Sequence, residues 1–148
     1  MDAPGKCWYF SCMTLSSPIP HFNLFGETTV FPDVVHCERV IDRAGLHDWV
    51  ISAHRHSQLF QVFHIEQGKA RRSLDGKMAD FLPGEYLFVP PQVVHGFEFL
   101  RGTEGVVLSF PAPVVAFLGP QTPALTAWLS APQQARVLGD CYQYATSD

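Results

Sequence analysis

Short segments rich in β-branched and aromatic residues, separated by turn residues, run through most of this chain and limit its fold more than any other feature. The clearest turn is Asp75-Gly76, because an Asp-Gly pair readily adopts the positive φ angles of a two-residue hairpin turn. Turn signals recur about every 8–12 residues, a spacing typical of antiparallel sandwiches and barrels. We therefore predict an all-β domain with strands at residues 34–41, 49–56, 59–65, 69–74, 77–82, 86–89, 96–100 and 105–110.

The composition fits one globular domain and argues against several other classes of protein. The chain has 148 residues, of which 47% are hydrophobic and 16% charged, so it can bury a sizeable core. No apolar run approaches the roughly 18 residues that a membrane span needs. The net charge is −4, and no basic cluster is longer than Arg71-Arg72. Direct binding of nucleic acid by this chain alone is therefore not expected.

The cysteines indicate a reducing environment. Cys7, Cys12, Cys37 and Cys141 show no spacing typical of a metal site or of a disulfide framework. The apolar residues 7–15 lack a basic leader and a small-residue cleavage site, so they do not read as a signal peptide. We expect a cytoplasmic protein with reduced thiols and no contact with a membrane.

Histidines in two separate blocks are candidate ligands for a metal ion or a small molecule. His54 and His56 share one face of a predicted strand, where two imidazoles about 6–7 Å apart can bind one ion. Gln61 joins them if the chain turns back as the adjoining strand, and His95 joins if the fold brings the second block alongside. We predict a divalent transition metal, Zn, Ni, Fe or Mn, held by His54, His56, Gln61 and His95. The alternative is a hydrogen-bonded polar cluster inside the domain.

The glutamine in this set has a chemical consequence. A glutamate would cancel one charge of a divalent ion, whereas the amide of Gln61 cancels none. We therefore expect weaker metal binding and a stronger attraction for an anionic ligand. Phe97 and Phe99 share the face of His95 and are predicted to contact that ligand, although core packing explains them as well. His64 falls on the opposite face from Gln61 and is not expected to be a ligand.

The two blocks resemble the motifs of the cupin family. The first family motif reads G-x5-H-x-H-x3,4-E-x6-G, and the second reads G-x5-P-x-G-x2-H-x3-N. The positions that match are Gly45, His54, His56, Gly68, Gly84, Pro90 and His95. Three residues differ from the motifs: Gln61 replaces the glutamate, Gln92 replaces the middle glycine of the second motif, and Phe99 replaces the asparagine. The gap between Gly45 and His54 is longer than the five residues of the first motif. The resemblance implies a cupin jelly roll, the double-stranded β-helix.

A narrower resemblance covers about residues 18–120. The residues that carry it are His21 to Glu27, His36-Cys37-Glu38, Arg43, Leu46 to Trp49, His54 to His56, Leu59 to Gln61, and Val94 to Phe97. They are similar to the cupin sensor domain of AraC/XylS-type transcription activators, in particular the group that controls catabolism of 4-hydroxyphenylacetate and 4-hydroxybenzoate. The resemblance implies a homodimer that binds a small aromatic acid as inducer. It also implies contact with DNA only through a helix-turn-helix domain that this chain does not contain.

We therefore expect an N-terminal extension at residues 1–17, a cupin sensor domain at 18–120 and a short helical C-terminal tail at 121–148. Helices are predicted at residues 114–118, 122–129 and 132–138. Leu125, Trp128 and Leu129 form an apolar stripe that packs either on the barrel or on a second subunit. The alternative function is a stand-alone metal-dependent cupin enzyme such as a dioxygenase, against which Gln61 argues mildly.

Overall fold

Two antiparallel sheets share one hydrophobic core in the computed structural model, which describes residues 19–20, 35–118 and 123–136. The strands are β1 His36–Arg39, β2 Val50–His54, β3 Leu59–Gln67, β4 Ala70–Leu74, β5 Lys77–Phe81, β6 Glu85–Val89, β7 His95–Phe99, β8 Glu104–Pro111 and β9 Gln133–Arg136. The helices are α1 Val40–Ala44, α2 Ala112–Leu118 and α3 Pro123–Trp128, and a 3-10 turn spans Gly45–His47. One sheet has the order β1-β8-β3-β6-β9 and the other β2-β7-β4-β5.

The two central strands of the larger sheet show why these residues form strands. Along β3 and β8, buried and partly buried side chains alternate with a period of two, as expected for a strand with one face on a core. The buried set of β3 includes Leu59, Phe63 and Ile65, and β8 contributes Val107. Phe81 and Phe97 of the smaller sheet share one core with Phe63, Ile65 and Val107. The polar residues that share these inward positions are therefore brought between the sheets.

The hairpin predicted at Asp75-Gly76 is confirmed, and it also reaches the second histidine block. Asp75 and Gly76 have φ angles of 45° and 80°, and they join β4 to β5. The amide of Asp75 donates to the carbonyl of Val94 at 2.8 Å, and the amide of Val94 donates to Asp75 Oδ1 at 3.1 Å. The hairpin thus fixes the residue directly before His95.

The predicted run of short strands is confirmed over β2 to β8, and two predictions at its borders are wrong. The strand predicted over residues 34–41 ends at Arg39, because Val40 begins α1 and buries its side chain with that of Ala44 on one helix face. The helix predicted over residues 132–138 is wrong for Gln133–Arg136, which pairs with β6 as an antiparallel edge strand. Pairing with an available sheet edge decided this segment against its local sequence preference.

The last strand also connects the two sheets through side chains. Arg72 of β4 donates through Nε to Gln134 Oε1 at 2.8 Å. The amide of Gln134 donates to Glu85 Oε2 and to the carbonyl of Asp80, each at 3.0 Å. The side chain of Gln134 therefore links β4 and β5 of the smaller sheet to β6 of the larger sheet.

The helices α2 and α3 agree with the helices predicted at 114–118 and 122–129. Trp128 lies 5.0 Å, ring centroid to ring centroid, from Phe88 on the outer face of the larger sheet, so this part of the apolar stripe packs on the barrel. Half of the Trp128 surface stays exposed, at 49%. A dimer contact through the stripe remains a prediction.

Several predictions fall outside the described residues. They concern the extension at 1–17, the family-like residues 21–27, and the cysteines at positions 7, 12 and 141. Cys37 lies within the described part and is an exposed, free thiol. Within the described part of the chain, no helix is both long and apolar enough to cross a membrane.

Candidate metal centre

His54 and His95 face each other across two neighbouring strands. His54 ends β2, His95 begins β7, and the two are direct partners in the antiparallel register. A bulge between Ile51 and His54 shifts the register of β2, and bulges commonly redirect a side chain in this way. Gly96 makes the close approach possible, because a Cβ there would lie 2.9 Å from the carbonyl oxygen of Ile51.

His56 follows β2 and is held by the turn before β7. The backbone amide of Gln92 donates to the carbonyl of His56 at 2.8 Å, and the Gln92 side-chain amide contacts the carbonyl of Ser57 at 3.4 Å. Gln92 has a φ of 70°, a left-handed conformation that favours glycine. This is the place where the family motif has glycine, so the motif position keeps its backbone shape although its residue differs.

The other sheet contributes Gln61 of β3 and Ser109 of β8. These two residues are direct partners in the register, and both are buried. The amide of Gln61 donates from Nε2 to Ser109 Oγ at 3.0 Å. The centre therefore has imidazoles on one sheet and an amide with its supporting hydroxyl on the other.

The three histidines meet in one buried cluster, because the fold brings the second block alongside the first. The ring centroids of His54 and His95 are 4.4 Å apart, those of His54 and His56 are 5.0 Å apart, and those of His56 and His95 are 5.5 Å apart. One ring nitrogen from each residue lies within 4.8 Å of the other two. Three imidazoles so placed can share one ion.

Two of the rings are oriented by the backbone. Nδ1 of His54 donates to the carbonyl of Ser52 at 2.8 Å, and Nδ1 of His95 donates to the carbonyl of Val93 at 2.9 Å. A neutral imidazole carries only one N–H, so each Nε2 presents a lone pair. Carbonyl partners of this kind fix the tautomer and orientation of metal-binding histidines.

Burial keeps His54 and His95 neutral, and the neutral form of histidine is the one that binds metal. Burial lowers the pKa of His95 to about 3, and the neighbouring His54 and His56 act in the same direction. Burial also lowers the pKa of His54, with a smaller contribution from the positive charge of Arg43. At neutral pH no proton therefore competes for these nitrogen lone pairs.

The contact between His95 and Gln61 tests whether a metal fits. His95 Nε2 lies 3.0 Å from Gln61 Oε1, and both atoms are acceptors when His95 is neutral with its proton on Nδ1. A cation bound to both atoms would resolve this conflict. Two ligand atoms about 2.1 Å from one ion and at right angles lie about 3.0 Å apart. The donor set and its spacing therefore fit a divalent transition metal.

Aromatic side chains border the histidines. The rings of Phe63 and Phe97 lie 6.0 and 6.2 Å from the ring of His95, and they pack on each other at 4.5 Å. Phe99 stacks on Phe97 at 5.3 Å and is only partly buried. Phe97 belongs to the core and Phe99 packs against it, so their contact with a ligand stays a prediction.

Two residues of the centre were missed in the sequence. Phe63 shares the inward face of β3 with Gln61, and Ser109 is a polar residue among the buried alternate positions of β8. That alternation could have marked Ser109, but only the strand register shows that it lies opposite Gln61. His64 faces outward as expected, where its ring stacks on Tyr86 with centroids 4.1 Å apart.

A family model described as "Cupin domain" matches residues 47–111. That stretch contains β2 to β8 and every residue of the cluster. Over these residues the sandwich has the cupin fold, the double-stranded β-helix or jelly roll.

Solved structures similar to this cupin domain include KdgF from Halomonas sp., with 25% identity and a TM-score of 0.40 over 42% of this chain and 57% of that chain. A cupin protein from Bacteroides fragilis has 16% identity and a TM-score of 0.39 over 58% and 83% of the two chains. A variant of oxalate decarboxylase from Bacillus subtilis has 14% identity and a TM-score of 0.37 over 61% and 28%. The chain thus spans 57% of the KdgF chain and 28% of the oxalate decarboxylase chain. No curated protein matches the sequence.

Proposed function

We propose that this cupin domain holds a divalent transition metal through His54, His56 and His95, with Gln61 as the fourth ligand, and senses a small aromatic acid that binds there. The observation that carries the proposal is the buried cluster in which one nitrogen from each histidine lies within 4.8 Å of the others. The metal supplies Lewis acidity and an anchoring point for an anionic ligand.

The competing interpretation is a polar cluster that needs no ion. Rotating the Gln61 amide by half a turn would let Nε2 donate to His95 and let Ser109 donate to Oε1, which would satisfy both contacts. The observed orientation instead directs Oε1 at His95 and Nε2 at Ser109. That orientation suits a cation placed between Gln61 Oε1 and His95 Nε2.

The aromatic part of the ligand is supported by the surroundings of His95. His95 has two aromatic neighbours, Phe63 and Phe97, with ring centroids 6.0 and 6.2 Å away, and a polar neighbour, the amide of Gln61. A phenolic acid matches this division, since its ring can pack on aromatic side chains while its carboxylate meets the cation.

The role as a sensor is supported by the sequence resemblance to AraC/XylS-type activators. In this proposal the cupin domain binds the inducer, acts as a homodimer and passes the signal to a separate DNA-binding domain. The alternative is a metal-dependent enzyme, because three histidines and one amide leave coordination positions open to a substrate. Within the described residues no carboxylate joins the histidine cluster.

Metal analysis tests the core of the proposal. Protein purified without chelator and then offered Zn²⁺ or Ni²⁺ should bind one ion per chain, measured by elemental analysis and by calorimetric titration. His56→Ala removes one of three nitrogen ligands and should weaken binding by about 100-fold or more.

His64→Ala is the matched control, because it removes a histidine from the outer face of the larger sheet, where its ring stacks on Tyr86. This variant should keep the wild-type stoichiometry and affinity. Circular dichroism of each variant verifies the fold. Metal content far below one ion per chain in the wild type, unchanged by His56→Ala, would leave the polar cluster as the correct interpretation.

A further inference from the structure

The protein ligands of the candidate centre carry no charge. A histidine binds a metal ion as the neutral imidazole, and Gln61 and Ser109 are amide and hydroxyl groups. Among the described residues, the cluster that can hold an ion consists of histidines only. A divalent ion bound there keeps its full double positive charge.

Aromatic side chains, which cannot offset that charge, lie next to His95 in the described part of the chain. His95 is 1% exposed, and the aromatic rings of Phe63 and Phe97 lie beside it. An uncompensated charge costs much more in such an environment than in water. Arg43 adds positive charge close enough to act on His54, although its guanidinium also pairs with Glu38 at 3.1 Å.

We infer that metal and a small carboxylate anion bind this centre cooperatively, with Gln61 as the residue that makes each dependent on the other. This inference rests on the proposed metal site. An anion from solution supplies the negative charge that a glutamate at position 61 would bring, so its binding stabilises the bound ion. By linkage the ion must raise the affinity for the anion by the same factor.

The position of Gln61 explains why a single residue controls this coupling. Its Oε1 lies 3.0 Å from His95 Nε2. The side chain of glutamate has the same length, so its carboxylate oxygen would reach the same place. Ser109 holds the other end of the amide and can equally donate to a carboxylate oxygen. Gln61→Glu therefore changes the charge of the centre while keeping its size and its partners.

Calorimetric titration of Zn²⁺ at pH 7.5 tests the inference, with benzoate as the anion and benzamide as its neutral counterpart of similar shape. The Kd of the wild type for Zn²⁺ should fall at least 10-fold in saturating benzoate, after correction for benzoate–Zn²⁺ binding in solution, and should not change in benzamide. Gln61→Glu should bind Zn²⁺ at least 10-fold more tightly than the wild type without any anion. Benzoate should then improve the binding of the variant by less than 3-fold.

The reverse titration gives an independent check. The affinity of the wild type for benzoate should rise with saturating Zn²⁺ by the same factor that benzoate gave for Zn²⁺. Wild-type Zn²⁺ binding that is the same in benzoate and benzamide overturns the inference and leaves the metal site in place. If neither protein binds Zn²⁺ under any of these conditions, the proposed function fails together with the inference. The wild-type comparison of the two probes decides the matter even if the variant does not fold.

Discussion

His95 shows how one buried side chain links stability to pH. It lies at the start of β7, is almost fully buried, and donates from Nδ1 to the carbonyl of Val93. Burial is the main reason that its pKa falls to about 3, from 6.5 for an exposed histidine. Between these two values the unfolded chain binds a proton that the folded chain does not.

The free energy of unfolding of the metal-free protein should therefore fall as pH falls from 6.5 towards 3. The contribution of His95 is about 1.4 kcal/mol per pH unit where the unfolded chain is fully protonated. Above pH 6.5 the residue is neutral in both states and adds no further slope. Urea unfolding in the presence of a chelator at pH 5, 5.5, 6, 6.5 and 7.5 measures this dependence.

His95→Gln removes the titrating group and should flatten the pH dependence between 5 and 6.5. The remaining slope reports other groups, among them His54, whose pKa burial also lowers. If the wild type and the variant lose stability with the same slope, His95 titrates alike in the folded and unfolded states, contrary to the burial argument.

The strand pair β2–β7 shows how an element positions a ligand. The bulge in β2 brings His54 opposite His95, and the backbone at Ile51 and Ala53 lies close against Gly96. A Cβ at Gly96 would meet the carbonyl oxygen of Ile51 at 2.9 Å and the amide nitrogen of Ala53 at 3.1 Å. These are backbone atoms, so the two strands would have to separate.

Gly96→Ala should lower the free energy of unfolding by about 1–3 kcal/mol, the usual effect of overpacking. It should also weaken Zn²⁺ binding by at least 10-fold, because separation of the strands moves His54 away from His95. Urea unfolding and calorimetric titration measure the two effects.

Gly45→Ala provides the matched control. Gly45 has a φ of −59° at the end of α1, and a Cβ there would meet no atom within 4 Å. This variant should keep the wild-type affinity for Zn²⁺ and at least the wild-type stability. Gly96→Ala with wild-type values for both quantities would show that β2 does not need this close approach.

At the scale of the whole molecule, the centre exists only where the two sheets meet. One sheet brings the histidines and the other brings Gln61 and Ser109, so a ligand bound there contacts both sheets at once. Such a ligand binds the folded state alone and shifts the folding equilibrium towards it.

Adding 4-hydroxybenzoate to the Zn²⁺-loaded protein should therefore raise its Tm. At 100 times its Kd, a ligand of this kind stabilises the folded state by about 2.7 kcal/mol. The methyl ester of the same acid should stabilise much less, because it offers no negative charge to the cation. Thermal unfolding followed by circular dichroism compares the two.

His95→Ala should remove the difference between the acid and its ester. Equal shifts of Tm by acid and ester would show that the carboxylate does not meet this centre. No shift across a panel of hydroxylated benzoates and phenylacetates would remove the support for an aromatic acid and favour the enzyme alternative.

The sequence by itself determined the run of strands from β2 to β8, the hairpin at Asp75-Gly76 and the two histidine blocks. These features depend on local preferences, since alternation follows from strand geometry and an Asp-Gly turn from backbone conformation. The match between the blocks and the cupin motifs then indicated that the blocks lie together. The clustering of His54, His56 and His95 agrees with that prediction.

Only the tertiary structure decided the contacts and the secondary structure of residues whose neighbours are distant in sequence. Ser109 lies opposite Gln61 because β3 and β8 pair in that register, and no local pattern specifies a register between strands so far apart. Gln133–Arg136 became a strand because the edge of β6 offered hydrogen bonds that outweighed a helical preference. Strand β1 ends at Arg39 for a similar reason, because burial of Val40 against the core favoured a helical turn from that residue on.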